Sequence, residues 1–222
     1  MAYELTDVQV RVLGALVEKR VTTPDYYPLT LNALVSACNQ KSNRDPVVSY
    51  DDKTIVRSLD TLRDRKLAIM WHTAGSRVPK YAEEMSGTFE LEDDQVAVLC
   101  MLMVRGPQTA GELRTRTGRL HDFATTIEVE KTLTALVNRE KGALVVKLPR
   151  RPGAREGRYM HLLAAEPDPA TLEEPPPPVE AARVQLQAED QRIVTLEAEV
   201  CSLREELNAL RETFAEFRQQ FE

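Results

Sequence analysis

The sequence LTDVQV at residues 5–10 opens a helical pattern, and a matching opening, LEDDQV at residues 91–96, returns 86 residues later. In the first copy, Thr6 and Gln9 have the spacing of a capping box, in which each side chain binds the backbone N–H of the other residue. Apolar residues at both ends of this opening complete a hydrophobic staple. An apolar helical pattern follows each opening, so the chain is predicted to contain the same folding unit twice.

Each copy is predicted to contain three helices followed by a β-hairpin. In the first copy the helices lie at residues 6–19, 31–38 and 53–66, and the strands lie at residues 67–71 and 76–81. In the second copy the helices lie at residues 98–104, 110–116 and 127–140, and the strands lie at residues 143–148 and 158–163. This repeated order is typical of tandem winged-helix domains, a variant of the helix-turn-helix. The predicted fold class is therefore mainly α with small β-hairpins (α+β).

The chain divides into four predicted segments, which are a first winged-helix domain at residues 1–87, a second at 88–164, a linker at 165–178 and a coiled-coil dimerisation helix at 179–222. The stretch from Ala164 to Pro178 contains six prolines, four of them consecutive. Proline-rich segments are extended and semi-rigid, and they build no core of their own. This linker is therefore predicted to separate the two domains from the coiled coil.

Apolar residues recur in the C-terminal segment at alternating steps of three and four, which is the heptad pattern of a coiled coil. The predicted dimerisation residues are Leu186, Ile193, Leu196, Val200, Leu203, Leu207, Leu210, Phe214, Phe217 and Phe221. No other segment of the sequence carries a matching seam, so the predicted partner is a second copy of the chain. The alternative is an amphipathic helix that folds back on its own domain.

The charges beside this seam favour a parallel pair of helices. In a parallel dimer the flanking positions pair Arg192 with Glu197, Glu199 with Arg204, and Glu206 with Arg211. All three pairs are opposite in sign, whereas an antiparallel dimer would place the last two arginines close together. The predicted assembly is therefore a homodimer held by a parallel coiled coil.

The net charge of −6 is unevenly distributed along the chain. Residues 1–87 and residues 88–166 each contain 12 Lys and Arg against 11 Asp and Glu, whereas residues 167–222 contain 5 against 13. The acidity therefore belongs to the C-terminal segment. The sequence pI of about 5.3 neither excludes nor indicates a nucleic-acid partner for the two domains.

Three features predict a cytoplasmic protein that contacts no membrane. No run of the sequence approaches the roughly 20 apolar residues that span a bilayer. The N-terminal residues have neither the basic start nor the apolar core of a signal peptide. Cys38, Cys100 and Cys201 are an odd and widely spaced set, which indicates reduced thiols, the first two of them buried in apolar helices.

The sequence contains no recognisable catalytic, metal-binding or cofactor-binding motif. His72, His121 and His161 are far apart, and none has a cysteine or carboxylate at ligand spacing. The sequence also has no glycine-rich phosphate loop and no nucleophile elbow. We therefore predict a non-enzymatic protein with no catalytic residues, no metal and no cofactor.

The connector between the second and third helices of the first copy is unusually long for a winged helix. Its sequence ACNQKSNRDP at residues 37–46 includes three amide side chains and two cations. Lys41, Asn43 and Arg44 are candidate nucleic-acid contacts, because amides and cations suit base edges and phosphates. The alternative is a structural connector in which the asparagines cap a helix end and form turns.

The hairpin of the second copy is the most basic feature of the sequence. Its candidate phosphate contacts are Lys147, Arg150, Arg151, Arg155 and Arg158. Cations on a hairpin tip can lie along a phosphate backbone or enter a minor groove. The alternatives are a solvated loop and a protein interface that binds anions.

The third helices carry opposing signals. Lys53 and Arg57 are further candidate nucleic-acid contacts, but two aspartates begin the same helix. The third helix of the second copy begins with Glu128 and Glu130. Carboxylates favour a helix N-terminus but repel the phosphates that a DNA-reading helix approaches. Direct reading of a major groove by the second copy is therefore not expected.

Five stretches of the sequence resemble one protein family. They are TTPDYYPL at residues 22–29, ACNQKSNRDP at 37–46, RGPQT at 105–109, GEL at 111–113, and LPR at 148–150 leading to Arg158-Tyr159. Over about residues 3–163 the chain resembles the YceH-like family of uncharacterised bacterial proteins. The resemblance implies paired winged-helix domains in a cytoplasmic, dimer-forming protein that is not known to be an enzyme.

Two hypotheses about function follow from these patterns. The first is a dimeric tandem winged-helix protein that binds double-stranded DNA, as a transcriptional regulator does. It rests on the fold, which is an argument by analogy, and on the cations of the connector and the second hairpin. The second is a protein–protein interaction scaffold whose winged-helix domains make no DNA contact. It rests on the near-neutral domains, the acidic starts of the third helices and the coil.

Overall fold

A computed structural model describes residues 4–71, 78–150 and 156–164 of the chain. The described part is mainly helical with two small antiparallel sheets, which confirms the predicted fold class at that level. The predicted linker at 165–178 and the coiled coil at 179–222 lie outside the described residues, so the predicted dimer stays a prediction. No helix within the described ranges is both long and apolar enough to cross a membrane.

The first half of the described chain contains four helices and three strands. They are α1 (Asp7–Thr22), β1 (Leu29–Thr30), α2 (Leu31–Cys38), α3 (Asp52–Asp64), β2 (Ala68–Trp71), β3 (Lys80–Glu83) and α4 (Met85–Phe89), with a short 3-10 helix at Pro24–Tyr26. The second half contains α5 (Asp93–Arg105), α6 (Ala110–Thr117), α7 (Thr126–Val137), β4 (Val145–Lys147) and β5 (Tyr159–His161). Each half therefore has three helices followed by an antiparallel hairpin, as the repeat predicts.

The repeated sequence openings form equivalent helix caps. The Thr6 hydroxyl accepts a hydrogen bond from Gln9 N at 3.3 Å, and Gln9 Oε1 accepts one from Thr6 N at 3.0 Å. In the second copy Gln95 Oε1 accepts from Glu92 N at 3.3 Å. The predicted capping box of α1 is therefore confirmed. At the start of α5, the side chain of the third helical residue likewise accepts a hydrogen bond from the backbone N–H of the N-cap residue.

The sheets contain two pairings that sequence periodicity does not reveal, one in each half. The first sheet has the order β1-β3-β2, in which the two-residue strand β1 pairs Leu29 with Tyr81. In the second half Gln108 and Tyr159 exchange both backbone hydrogen bonds, at 3.1 Å and 2.7 Å, beside the β4-β5 hairpin. A third backbone segment therefore flanks each hairpin and connects it to the helices before it.

The two halves share one core. The halves meet where α1 and α5 pack together, and every residue from Val10 to Glu18 and from Val96 to Val104 is buried. A helix segment buried on all sides lies in the centre of a core rather than on its surface. The Leu5 N–H also donates to the Leu163 carbonyl oxygen at 2.8 Å, which ties the start of the first half to the end of the second.

Because the two halves share one core, the predicted boundary between them does not separate two independent cores. The boundary between residues 87 and 88 falls inside α4. Residues 1–166 form one compact unit, so the two copies of the repeat are halves of a single body.

The close approach of α1 and α5 requires a glycine. A Cβ atom built on Gly14 would lie 2.8 Å from Val104 Cγ1 and 3.1 Å from Met103 Cβ. The first distance is shorter than carbon atoms tolerate, so any larger residue must push the helices apart or displace Val104.

We predict that Gly14→Ala destabilises the protein by about 1–3 kcal/mol, because overpacking a well-packed core costs energy of this order. The control is Gly111→Ala in α6, where the nearest atom to a new Cβ is 4.0 Å away. Alanine is the better helix former, so this control is expected to be neutral or stabilising by up to about 1 kcal/mol. Urea unfolding measures both values, and a Gly14→Ala protein as stable as the control would contradict the packing argument.

Candidate nucleic-acid interface

The connector between α2 and α3 is held against α1 by Arg44. This guanidinium is buried, and its Nη2 atom lies 2.5 Å from Glu18 Oε2. It also donates to the Ala37 carbonyl oxygen from Nε at 3.2 Å and from Nη2 at 2.8 Å, and to the Asn43 carbonyl oxygen at 2.8 Å. A side chain with no exposed surface presents no charge to a phosphate. We therefore remove Arg44 from the candidate nucleic-acid contacts.

Asn43 connects the same network to the second half. Its Nδ2 group donates to Glu18 Oε1 at 2.7 Å, and its Oδ1 atom accepts from Arg105 Nη1 at 3.1 Å. Its backbone φ is +55°, a conformation that asparagine adopts more readily than most residues. Asn43 thus forms hydrogen bonds to both α1 and α5. These bonds and its turn conformation favour the structural interpretation of the connector over a contact with nucleic acid.

Further bonds fix both ends of the connector. Asn39 exchanges two hydrogen bonds of 2.8 Å with the backbone of Tyr50. The buried Arg11 of α1 donates to the Pro46 carbonyl oxygen at 2.7 Å, and Asp45 N donates to the Val104 carbonyl oxygen at 3.0 Å. The connector is therefore held in place by hydrogen bonds at both ends. Of the two connector cations that are candidate nucleic-acid contacts, Lys41 is exposed, whereas Arg44 is buried.

The carboxylate of Glu18 is the centre of this buried network. Burial alone would raise the pKa of Glu18, but hydrogen bonds and charge from Arg44, with help from Asn43 and Lys19, lower it below its usual value. Glu18 is therefore ionised in the folded protein at neutral pH. Its stabilising effect is present above its ordinary pKa and is lost as the pH falls through the lowered folded-state pKa.

Two candidates of α3 remain on the surface. Lys53 and Arg57 are exposed and lie four residues apart, so they occupy one face of the helix. Asp51 caps the helix by accepting from Thr54 N at 2.9 Å, and hydrogen bonds from Thr54 lower its pKa. The start of α3 therefore presents acidic and basic groups together.

The second hairpin presents the other exposed cations. Beyond β4 and β5, Leu148 N donates to the Arg158 carbonyl oxygen at 2.8 Å, so the hairpin continues toward its loop. Lys147 lies at this end with its Nζ atom 5.4 Å from the centre of the Tyr159 ring. Arg150 is exposed and Arg158 is half-buried, and the candidates Arg151 and Arg155 lie outside the described residues.

These hairpin cations are not neutralised locally. Lys147, Arg150 and Arg158 form no ion pair with any residue that the structure describes. A phosphate could therefore bind them without displacing a carboxylate from the described part of the chain.

An acidic cleft of about 600 Å³ lies beside the start of α7. Glu92, Asp93, Asp94 and Glu128 contribute carboxylates to it, together with the cation Lys131. Glu128 also accepts a hydrogen bond from Ala124 N at 2.9 Å, which fixes this side chain at the helix start. Phosphates would be repelled from this surface, which agrees with the doubt that the sequence raised about α7.

Comparison with known proteins identifies the family. Residues 5–154 match the family described as "Protein of unknown function, DUF480". The chain belongs to the DUF480 family. A UPF0502 protein of Geobacter sulfurreducens is 50% identical over 218 residues, which cover 98% of each chain. A UPF0502 protein of Vibrio parahaemolyticus is 45% identical over 215 residues, which cover 95% of this chain and 96% of its own.

A third DUF480 relative, a UPF0502 protein of Opitutus terrae, is 55% identical over 180 residues, which cover 78% of this chain and 76% of its own. The resemblance to an uncharacterised bacterial family is therefore confirmed. These names describe no activity, so the function of this DUF480 protein must be argued from its own residues.

Among the cysteines and histidines that the structure describes, Cys38, Cys100 and His161 are buried, and His121 is half-buried. Cys38 and Cys100 are free thiols whose pKa values are raised by burial, as expected for inert core cysteines. His161 lies in β5, where burial lowers its pKa to about 4. No group of His, Cys, Asp and Glu within the described ranges is arranged to hold a metal.

We predict that Glu18→Gln destabilises the protein by about 3–5 kcal/mol, because it leaves Arg44 buried without its charged partner. The double variant Glu18→Gln/Arg44→Met removes the buried charge as well and should recover part of the loss. Denaturant unfolding at neutral pH measures both variants, with Glu130→Gln on the exposed face of α7 as the control. A Glu18→Gln loss no larger than that of the control would contradict a central role for this pair.

Proposed function

We propose that this DUF480 protein is a non-enzymatic, dimeric tandem winged-helix protein that binds double-stranded nucleic acid, and that it acts as a transcriptional regulator. The observation that carries the proposal is that Lys147, Arg150 and Arg158 of the second hairpin form no ion pair with any described residue. The repeated order of three helices and a hairpin supports the winged-helix assignment.

The distribution of charge determines how such a protein would bind. The second hairpin offers Lys147, Arg150, Arg151, Arg155 and Arg158, and Lys53 and Arg57 of α3 add two exposed cations. The start of α7 is acidic and unsuited to a major groove. Binding would therefore depend on phosphate contacts from the hairpin, with α3 as the helix that approaches the bases. Phosphate contacts of this kind weaken strongly as salt concentration rises.

The first prediction of this proposal is salt-dependent binding to duplex DNA, measured by fluorescence anisotropy on the full-length protein with a mixed-sequence pool. Arg150→Gln/Arg151→Gln/Arg155→Gln should weaken binding. It should also reduce the slope of log affinity against log salt concentration by about 0.9 for each phosphate that the variant no longer neutralises. The matched control Lys66→Gln/Lys131→Gln/Lys141→Gln removes three exposed cations that lie outside both α3 and the second hairpin.

The outcome depends on the difference between these two variants. An equal loss in both would mean that total charge, rather than the hairpin, controls binding. Absence of binding at low salt for the unmodified protein would contradict the nucleic-acid proposal.

A second function is supported by a separate observation, the acidic cleft beside α7. Ile127, which directly precedes the cleft residue Glu128 in α7, is 74% exposed. An apolar side chain beside acidic groups suits a protein segment that carries basic and apolar residues. A scaffold that binds a protein through this surface is therefore the alternative if duplex DNA does not bind.

The dimer rests on the heptad seam of residues 186–221, which lies outside the described residues. We predict that Leu203→Asp/Leu210→Asp converts the dimer to a monomer, because two charges in each helix cannot be buried in the seam. Size-exclusion chromatography with light scattering measures the mass, and Glu205→Gln, at the outward-facing position of the same heptad, is the control. A dimer that persists in the double variant would place the main interface elsewhere in the chain.

A further inference from the structure

A polar cleft of about 520 Å³ lies where the two halves meet. Its walls come from the end of α1, from the connector between α2 and α3, and from α6 with the turn after it. Its lining includes the charged residues Glu18, Lys19, Arg116 and Arg119 and the polar connector residues Ser42 and Asn43. This volume is within the range of about 300–1,000 Å³ that is usual for small-molecule sites.

The cleft has an excess of positive charge. Three of its lining residues are cations, namely Lys19, Arg116 and Arg119, and Glu18 is the carboxylate among them. That carboxylate is shared between the buried Arg44 at 2.5 Å and Lys19 at 3.9 Å, so the three lining cations outnumber the lining carboxylates. The field inside the cleft therefore favours an anion.

The three cations differ in how firmly neighbouring side chains hold them. Arg116 is oriented by Gln108 Oε1, which accepts from its Nη1 atom at 2.9 Å, and by Glu112 at 3.5 Å. The Lys19 ammonium lies 3.9 Å from Glu18, at the margin of an ion pair. The Arg119 side chain is exposed and bonds to no residue in the described part of the chain. One preoriented guanidinium and two cations with fewer contacts thus line the same cleft.

Arg105 lies behind the cleft and adds to this field. It donates to Asn43, which lines the cleft, and its own Nε atom is buried without a hydrogen-bond partner among the described residues. Burial and the nearby charge of Arg116 lower the pKa of Arg105. Arg105 is thus a further cation next to the cleft, and the carboxylates of Asp45 and Glu112 offset part of this effect.

We infer that this cleft binds a small molecule carrying a phosphate or diphosphate group, held by Lys19, Arg116 and Arg119. Guanidinium groups recognise phosphate oxygens through two parallel hydrogen bonds, and the Ser42 hydroxyl adds a neutral donor on the connector side. Such a ligand would contact α1 and the connector of the first half and α6 of the second. Its binding would therefore stabilise the joined body, independently of any nucleic acid on the hairpin.

The test is isothermal titration calorimetry of the full-length protein with inorganic pyrophosphate in a buffer free of phosphate. Saturable binding is expected, with a rise in melting temperature as the ligand concentration increases. Lys19→Gln/Arg119→Gln should weaken binding at least tenfold. Arg119→Gln alone should weaken binding severalfold. Because the Arg119 side chain contacts no other described residue through a hydrogen bond or ion pair, this single variant is expected to fold even if the double variant does not.

Two controls separate this cleft from other cationic surfaces. The hairpin variant Arg150→Gln/Arg151→Gln/Arg155→Gln and the α3 variant Arg63→Gln/Arg65→Gln should bind pyrophosphate as tightly as the unmodified protein. A weaker affinity in the hairpin variant, with Arg119→Gln unaffected, would overturn the assignment to the cleft.

Citrate distinguishes phosphate recognition from general attraction of anions. It carries comparable negative charge on carboxylates, and it is expected to bind at least tenfold more weakly than pyrophosphate. Equal affinity for the two anions, or no saturable binding of pyrophosphate, would overturn the proposed ligand class.

Discussion

The close packing of α1 against α5 is the constraint on which the rest of the structure depends. Gly14 permits this approach because its missing side chain leaves room for Val104. Both helices are consequently buried on every side over their central turns, so neither half could expose its helix to water without losing much of the core. The repeat in the sequence therefore encodes two halves of one body, although each half has the element order of a complete small domain.

Burial of α1 determines the role of the connector. Glu18 is drawn into the core by its place on α1, and an unpaired carboxylate there would be costly, so the connector supplies Arg44 and Asn43 to it. Because Asn43 also accepts a bond from Arg105, the same segment links the two halves. The polar residues that would suit nucleic acid are thereby used for structure. Among the described residues, the cations that remain for a ligand include Lys41 of the connector and those of the hairpin, the surface of α3 and the cleft beside α6.

Local features of the fold could be predicted from the sequence, whereas long-range ones could not. The capping box of Thr6 and Gln9 and the bounds of α2 follow from residues within a few positions of each other. The strand β1 has only two residues and carries no period, and the pairing of Arg44 with Glu18 joins residues 26 positions apart. The sequence did contain one signal of the shared core. Apolar residues occupy every position of α5 from Val96 to Val104 and most positions of α1 from Val10 to Val17, which a surface helix does not require.

Native-state hydrogen exchange on the full-length protein, followed by mass spectrometry at increasing urea concentration, tests most directly whether the two halves form one cooperative body. We expect peptides from α1 and α5 to exchange only through a common opening, with equal free energies and equal dependence on urea. Peptides from α3 and α7 should show the same opening free energy and the same dependence on urea. If instead α5, α6 and α7 opened together at lower urea while α1 stayed protected, the halves would be independent domains and the shared core would not control the fold.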